Sequence, residues 1–234
     1  MTDWALGPAL AAFHAGVTVV GELAAQFTDD NWAAPTPCPE WQAADLAGHL
    51  RCMADNFNEY LDDAPASRLA RLMATGADAA WLARKLARQN AAELAALAEG
   101  QGPEHIAAFA ASARAYARRI PPVWDLPHHR YRDTVVTVGG MAGAACAEWH
   151  LHAWDLAQTL GKDYSPANPD LLAAGWQAGM PHLPLGVPVA VATCGAGPAG
   201  GGAGMAAAEG RAWAAGPAGN GAWRALLRAS GRLA

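Results

Sequence analysis

The sequence predicts a mainly α protein, a helical bundle followed by a small, partly β C-terminal region. Three observations carry this. Apolar residues recur three or four apart over several long segments, which is the period of a helix face. Charged residues make up only 16% of the 234 residues, and alanine, the best helix former, fills much of the difference. Beyond about residue 187 the pattern changes to alternation and then to a glycine-rich run. With 53% hydrophobic residues the chain has enough apolar surface for a sizeable core. The expected division is a bundle over residues 1–165 and a smaller mixed region over 166–234.

The first helix is expected over residues 4–28, where Leu6, Leu10, Phe13, Val17, Val20 and Leu23 share a face. The segment DDNWAAPTPCPEW (29–41) follows, and Pro35, Pro37 and Pro39 exclude a helix there. A second helix starts near Glu40 and runs to about Leu61, with Leu46, His49 or Leu50, Met53, Phe57 and Tyr60 as its stripe. Residues 77–99 form a third, and Pro103 opens a fourth that ends near Arg119. IPPVWDLPHH (120–129) reads as a connection, with His128 and His129 facing solvent. A long helix is expected from about Val135 to Leu160, with Gly161 in the C-cap position, and a short one from Asp170 to Ala178. In the tail, VPVAVATCG (187–195) is β-like and GAGPAGGGAGM (195–205) is a glycine-rich loop without a phosphate-binding pattern. AWRALLRASGR closes the chain as an amphipathic turn or helix.

The net charge of −5 and the absence of a clustered basic face argue against nucleic acid as a partner. The densest basic run, Arg114 to Arg132, is diluted by Glu104, Asp125 and Asp133. No uninterrupted apolar run reaches ~18 residues, and the start MTDWALGPAL lacks the features of a signal peptide. The expectation is a cytoplasmic protein without a membrane partner, whose four scattered cysteines (Cys38, Cys52, Cys146, Cys194) are free thiols.

The densest chemistry is CAEWHLHAWD (146–155). On a helix, Glu148 and His152 lie one turn apart on one face. His150 is two residues from each, so it points away and is expected on the outer face; Trp149 and Trp154 also point elsewhere. A Glu-x-x-x-His pair chelates a divalent ion through carboxylate oxygen and imidazole nitrogen. His49, which interrupts the stripe of the second helix, is the best candidate for a third ligand, because a core histidine needs a partner. Three ligands with a fourth position open is the arrangement of a catalytic zinc site. Plain readings compete: such pairs are common in helices, core histidines are often simply hydrogen-bonded, and Glu148 could form a surface salt bridge with Arg130 or Arg132.

TPCPEWQAADLAGHL (36–50), followed about 100 residues later by AEWHLHAWDLAQTLG (147–161), resembles the mycothiol-dependent maleylpyruvate isomerase family of the DinB/YfiT-like superfamily. The matching positions are Trp32, Pro35, Thr36, Pro37, Cys38, Trp41, Asp45, Leu46, His49 and Leu50, then Glu148, His152, Trp154, Asp155, Leu156 and Ala157. Ala153 stands where the family usually has glycine, and the likeness covers roughly residues 5–165 and fades in the tail. The resemblance implies a DinB-like four-helix bundle; with the pattern of the tail, the expected fold is mainly α, a DinB-like four-helix bundle with a small, partly β C-terminal appendage. The resemblance also implies a zinc or similar divalent ion on His49, Glu148 and His152, with mycothiol as cosubstrate. A metal-held thiol is deprotonated at neutral pH and becomes a strong nucleophile. It then transfers sulfur to a small electrophile or assists its isomerisation, so neither Cys38 nor Cys52 is needed as a nucleophile.

Around that site, Asp155 is expected to orient a ligand or hold the helix end, and Met53 and Asn56 to line the cavity above His49. Arg51, Arg224 and Arg228 are the arginines considered for a substrate carboxylate. Two other functions keep the same residues: a non-catalytic metal-binding sensor or interaction module, and a metal-dependent hydrolase. A monomer or a homodimer suits each of these.

Overall fold

The computed structural model describes residues 4–38, 41–64, 66–97, 100–185 and 221–233. In chain order the elements are α1 (Leu6–Ala24), α2 (Asp29–Trp32), α3 (Ala43–Asp62), α4 (Arg68–Met73), α5 (Ala79–Ala96), α6 (Gly102–Arg119), a 3-10 turn (Pro121–Val123), β1 (Pro127–Tyr131), β2 (Thr134–Thr137), α7 (Val138–Thr159), α8 (Pro169–Gly179) and α9 (Gly221–Ala229). The protein is mainly helical, with one two-stranded antiparallel sheet among the described residues.

The bundle consists of α1, α3, α6 and α7, each packed on two of the others. Trp149 of α7 shows how they meet. Its ring has one aromatic neighbour from each partner helix: Phe13 of α1 at 6.0 Å, Phe57 of α3 at 5.8 Å and Phe109 of α6 at 4.9 Å. All three contacts are edge-to-face, the arrangement the aromatic quadrupole favours. By composition alone α1 is long and apolar enough to cross a membrane, but here Phe13, Val17, Val20 and Leu23 face the bundle core.

Several helices begin where the sequence supplies a cap. Thr137 accepts from Gly140 N at 3.1 Å to start α7, and Asp45 reaches back to Gln42 N at 2.9 Å to start α3. The PTPC segment before α3 folds on Thr36, whose Oγ1 accepts from Cys38 N at 3.1 Å and donates to Trp41 O at 3.0 Å.

The segment expected as a connection holds a hairpin instead. The β-branched run Thr134-Val135-Val136-Thr137 favours a strand over the start of a helix, so α7 begins at Val138 rather than near Val135. Arg132, at φ +51°, makes the turn. His128 and His129 are both buried, against the expectation of solvent exposure. Regular alternation would bury only one of them; the register irregularity between Pro127 and His129 turns both inward. The hairpin, α4 and α5 meet in a small second cluster of Met73, Leu82 and Tyr131.

The C-terminal elements share the main core through Leu172, Trp176, Leu183, Trp223 and Leu226. α8 crosses α7 backbone to backbone. A Cβ on Gly143 would lie 2.3 Å from Gly175 O, and one on Gly179 would lie 2.2 Å from Gly140 O. The tail strand and glycine-rich loop expected over 187–205 lie outside the described residues.

This crossing predicts opposite outcomes for two glycine-to-alanine changes. Gly143→Ala forces the two backbones apart and should lower unfolding free energy by ~1–3 kcal/mol. Gly21→Ala, in α1 with nothing within 4 Å of the new Cβ, should raise it by ~0.5–1 kcal/mol. Urea denaturation midpoints check both, and equal effects would show that α7 and α8 are not in close contact.

Candidate metal centre

α7 is buried along its whole length, Val138 to Thr159. Every polar side chain on it therefore needs an internal partner. His150, expected on an outer face, is an example: there is no outer face. Its Nε2 lies 3.0 Å from Ala12 O and its Nδ1 bonds Tyr164 Oη, and burial pulls its pKa down to about 4. It does point away from Glu148 and His152, as the helical spacing requires.

On the other side of α7, Glu148 and His152 line a cavity together with His49, Met53 and Asn56 of α3. The cavity holds ≈ 830 Å³ of empty space, its mouth included. The His49 and His152 rings stand edge-to-face at 5.1 Å, and His49 also packs on Trp41 at 4.6 Å. Burial, then the neighbouring His152 and Arg232, hold the His49 pKa well below its ordinary value, so it is a neutral imidazole with a lone pair to offer.

His152 is oriented from behind. Its Nδ1 lies 2.9 Å from Asp155 Oδ2 and Asp155 is fully buried. Arg232 grips that carboxylate with Nε at 2.9 Å from Oδ1 and Nη2 at 2.7 Å from Oδ2. Burial alone would raise the Asp155 pKa; Arg232 and His152 outweigh it and hold the carboxyl below its usual range. When the ring is a neutral ligand, an ionised Asp155 takes the Nδ1–H of His152 and the Nε2 lone pair is left on the Glu148 side.

Glu148 Oε2 and His152 Nε2 then face each other at 3.6 Å, too far for a hydrogen bond. Among the described residues no lysine or arginine comes within 4.0 Å of Glu148, neither Arg130 nor Arg132. A buried carboxylate facing an imidazole lone pair is unfavourable unless a cation sits with them. The donor set of His49, Glu148 and His152 thus fits a divalent ion.

Cys38, His152 and Asp155 also bring a sulfur, a nitrogen and an oxygen within 4.8 Å of one another, all buried. Chemically this group is saturated. Asp155 Oδ2 already accepts from His152 and Arg232, and Cys38 is disulfide-bonded, so its sulfur, 3.4 Å from Asp155 Oδ2, is no thiolate ligand. Of the four cysteines expected as free thiols, Cys52 and Cys146 are free, Cys38 is not, and Cys194 lies outside the described residues.

Sequence reasoning had no signal for Arg232, which lies 77 residues from Asp155. Its position comes from the end of α9, where Gly231 at φ +78° reverses the chain and Arg232 N bonds back to Leu227 O. None of Arg51, Arg224 and Arg228 lines the cavity. Its lining also includes two histidines that pattern reading passed over as ligand-facing groups, His129 of β1 and His182 after α8.

Comparison with known proteins returned one family model, described as mycothiol maleylpyruvate isomerase N-terminal domain, matching residues 13–157. No curated protein matches the chain, and no solved structure does. The matched segment holds His49, Glu148, His152 and Asp155; His182 and Arg232 lie beyond it.

The buried histidines set a pH dependence. Burial lowers His182 from 6.5 to about 4, and burial with His128 and His182 nearby lowers His129 to about 3. Below pH 6.5 the unfolded chain takes up protons that the fold refuses, so stability should fall as pH drops from about 6.5 towards 4. His182→Leu removes one such group and should flatten that slope in denaturant titrations at pH 7 and pH 5. An unchanged slope would mean that His182 titrates normally in the fold.

Proposed function

The chain belongs to the mycothiol maleylpyruvate isomerase N-terminal domain family, and from that premise we propose that it is a divalent-metal (zinc) enzyme that uses mycothiol on a small electrophile. The observation that carries this is the unmatched pair of Glu148 Oε2 and His152 Nε2, 3.6 Å apart at the wall of a cavity shared with His49. When bound by these three residues, a divalent cation stabilises a thiolate at neutral pH and so supplies the nucleophile.

The chain's own residues prepare that chemistry. Asp155 and Arg232 fix the His152 ring, and the cost of burying Asp155 is offset by the bidentate guanidinium. Burial keeps His49 unprotonated and available. Phe57, Met53 and Met141 wall off the cavity and reduce competing hydrolysis. The thiol sulfur then forms a C–S bond to the electrophile. In isomerisation the C=C opens, the bond rotates and the same sulfur leaves; in S-transfer a leaving group departs with its electron pair. This reading makes a small electrophile and the thiol the partners, in the cytoplasm, with neither nucleic acid nor membrane.

Elemental analysis tests the site first. Wild type should carry about one metal per chain, and His49→Ala, Glu148→Ala and His152→Ala should each lose most of it. Full retention in all three sinks the site. Asp155→Asn should weaken metal affinity about 10–100-fold in chelator competition, because the ring loses its orienting acceptor. Mycothiol titration tests the chemistry: metal without thiol-dependent turnover would favour a metal-binding sensor or a hydrolase.

A further inference from the structure

The cavity is lined by a second group of polar side chains besides the proposed metal ligands. His129 Nε2 and both ring nitrogens of His182 are buried and have no protein partner among the described residues. Both rings line the cavity, and His182 stands against Tyr131 at 5.7 Å.

The neighbours constrain the tautomers. His128 Nδ1 and His129 Nδ1 lie 2.9 Å apart, so one of them donates to the other. With His129 Nδ1–H as the donor, His129 Nε2 is bare and presents a lone pair. His182, with both nitrogens free of protein partners, offers one N–H and one lone pair. An acceptor beside a donor is the complement of a hydroxyl group.

The remaining lining agrees. Four of the chain's six methionines face the cavity (Met53, Met73, Met141 and Met180), a soft apolar wall that adapts to ring-shaped ligands. Among the described residues no lysine or arginine lines it. At the His129–His182 end a carboxylate would meet a lone pair, with no side-chain cation among the described lining residues to receive it.

We propose that His129 and His182 form the specificity pole of this cavity and bind the hydroxyl group of an uncharged, largely apolar substrate, such as a phenol or an alcohol. The substrate O–H donates to His129 Nε2, and its oxygen accepts from His182 N–H. Only the electrophilic character of the other end rests on the enzymatic reading above.

The test needs no turnover. Titrate the full chain with p-cresol, toluene and 4-methylbenzoate, following ligand and protein NMR signals. p-Cresol should bind about tenfold tighter than toluene, the worth of two modest hydrogen bonds, and 4-methylbenzoate should be the weakest. His129→Leu and His182→Leu should each reduce p-cresol towards the toluene level and leave toluene itself unaffected. His182→Gln, which keeps a donor and an acceptor, should retain most of the preference. Tighter binding of 4-methylbenzoate than of p-cresol, or equal binding of p-cresol and toluene, overturns the proposal, whatever the variants do. His49→Ala should keep the order of affinities. If thiol-dependent turnover is absent while the order holds, the enzymatic reading falls and this one stands.

Discussion

The structure depends on one constraint: α7 has no solvent-facing side, yet it carries Glu148, His150, His152, Asp155, Gln158 and Thr159. Each such group costs free energy unless the fold brings it a partner. α1 brings the Ala12 carbonyl to His150, and the loop after α7 brings Tyr164. The end of α9 brings Arg232 to Asp155, which in turn satisfies His152. Gln158 and Thr159 bond to the Lys162 and Asp155 carbonyls. Trp149 Nε1 is left without a partner inside its aromatic cage, and Glu148 has a single printed neighbour, His152 Nε2 at 3.6 Å, beyond hydrogen-bond distance. Of these two, only Glu148 lines the cavity, and a carboxylate there suits a cation.

The packing around α7 decides what else that cavity contains. Because Gly140 and Gly143 meet Gly175 and Gly179 backbone to backbone, α8 lies close enough for Met180 and His182 to reach the cavity wall. Because the hairpin before α7 is irregular at Pro127, His129 turns inward beside them. The second pole is thus a consequence of two close approaches rather than of a loop placed over the site.

What could be read from the sequence follows the range of the interactions. Glu148 and His152 share a face because helix geometry is local, and His49 stood out as polar in an apolar stripe. The bundle helices α1 and α3 came from the same period, and α6 from the proline that opens it. Asp155 was visible three residues from His152, although its role was left open between orienting a ligand and holding a helix end; in the structure it holds the His152 ring through Nδ1. Amphipathic reasoning misplaced His150, because it assumes an exposed side that the central helix does not have. It also misplaced His128 and His129, because two adjacent inward residues require a break in strand alternation that no local pattern announces. Arg232 was out of reach, since a capping glycine at the far end of the chain sets its direction.

Charge accounting ties the two poles together. Glu148, Asp155 and Arg232 leave the buried centre with one net negative charge if both carboxylates are ionised. Under the proposed reading a divalent ion reverses that to one positive charge, and a single thiolate cancels it. A buried site is least costly when its total is near zero. The thiol is thus favoured as an anion, while a further anionic group in the same cavity would have no counter-charge among the described lining residues. Neutral histidines elsewhere in the lining suit that balance, because they recognise a polar group by hydrogen bonding and add no charge. A guanidinium in their place would compete with the metal for the thiolate. The same low polarity that makes Glu148 demand a cation therefore selects an uncharged partner for the thiol.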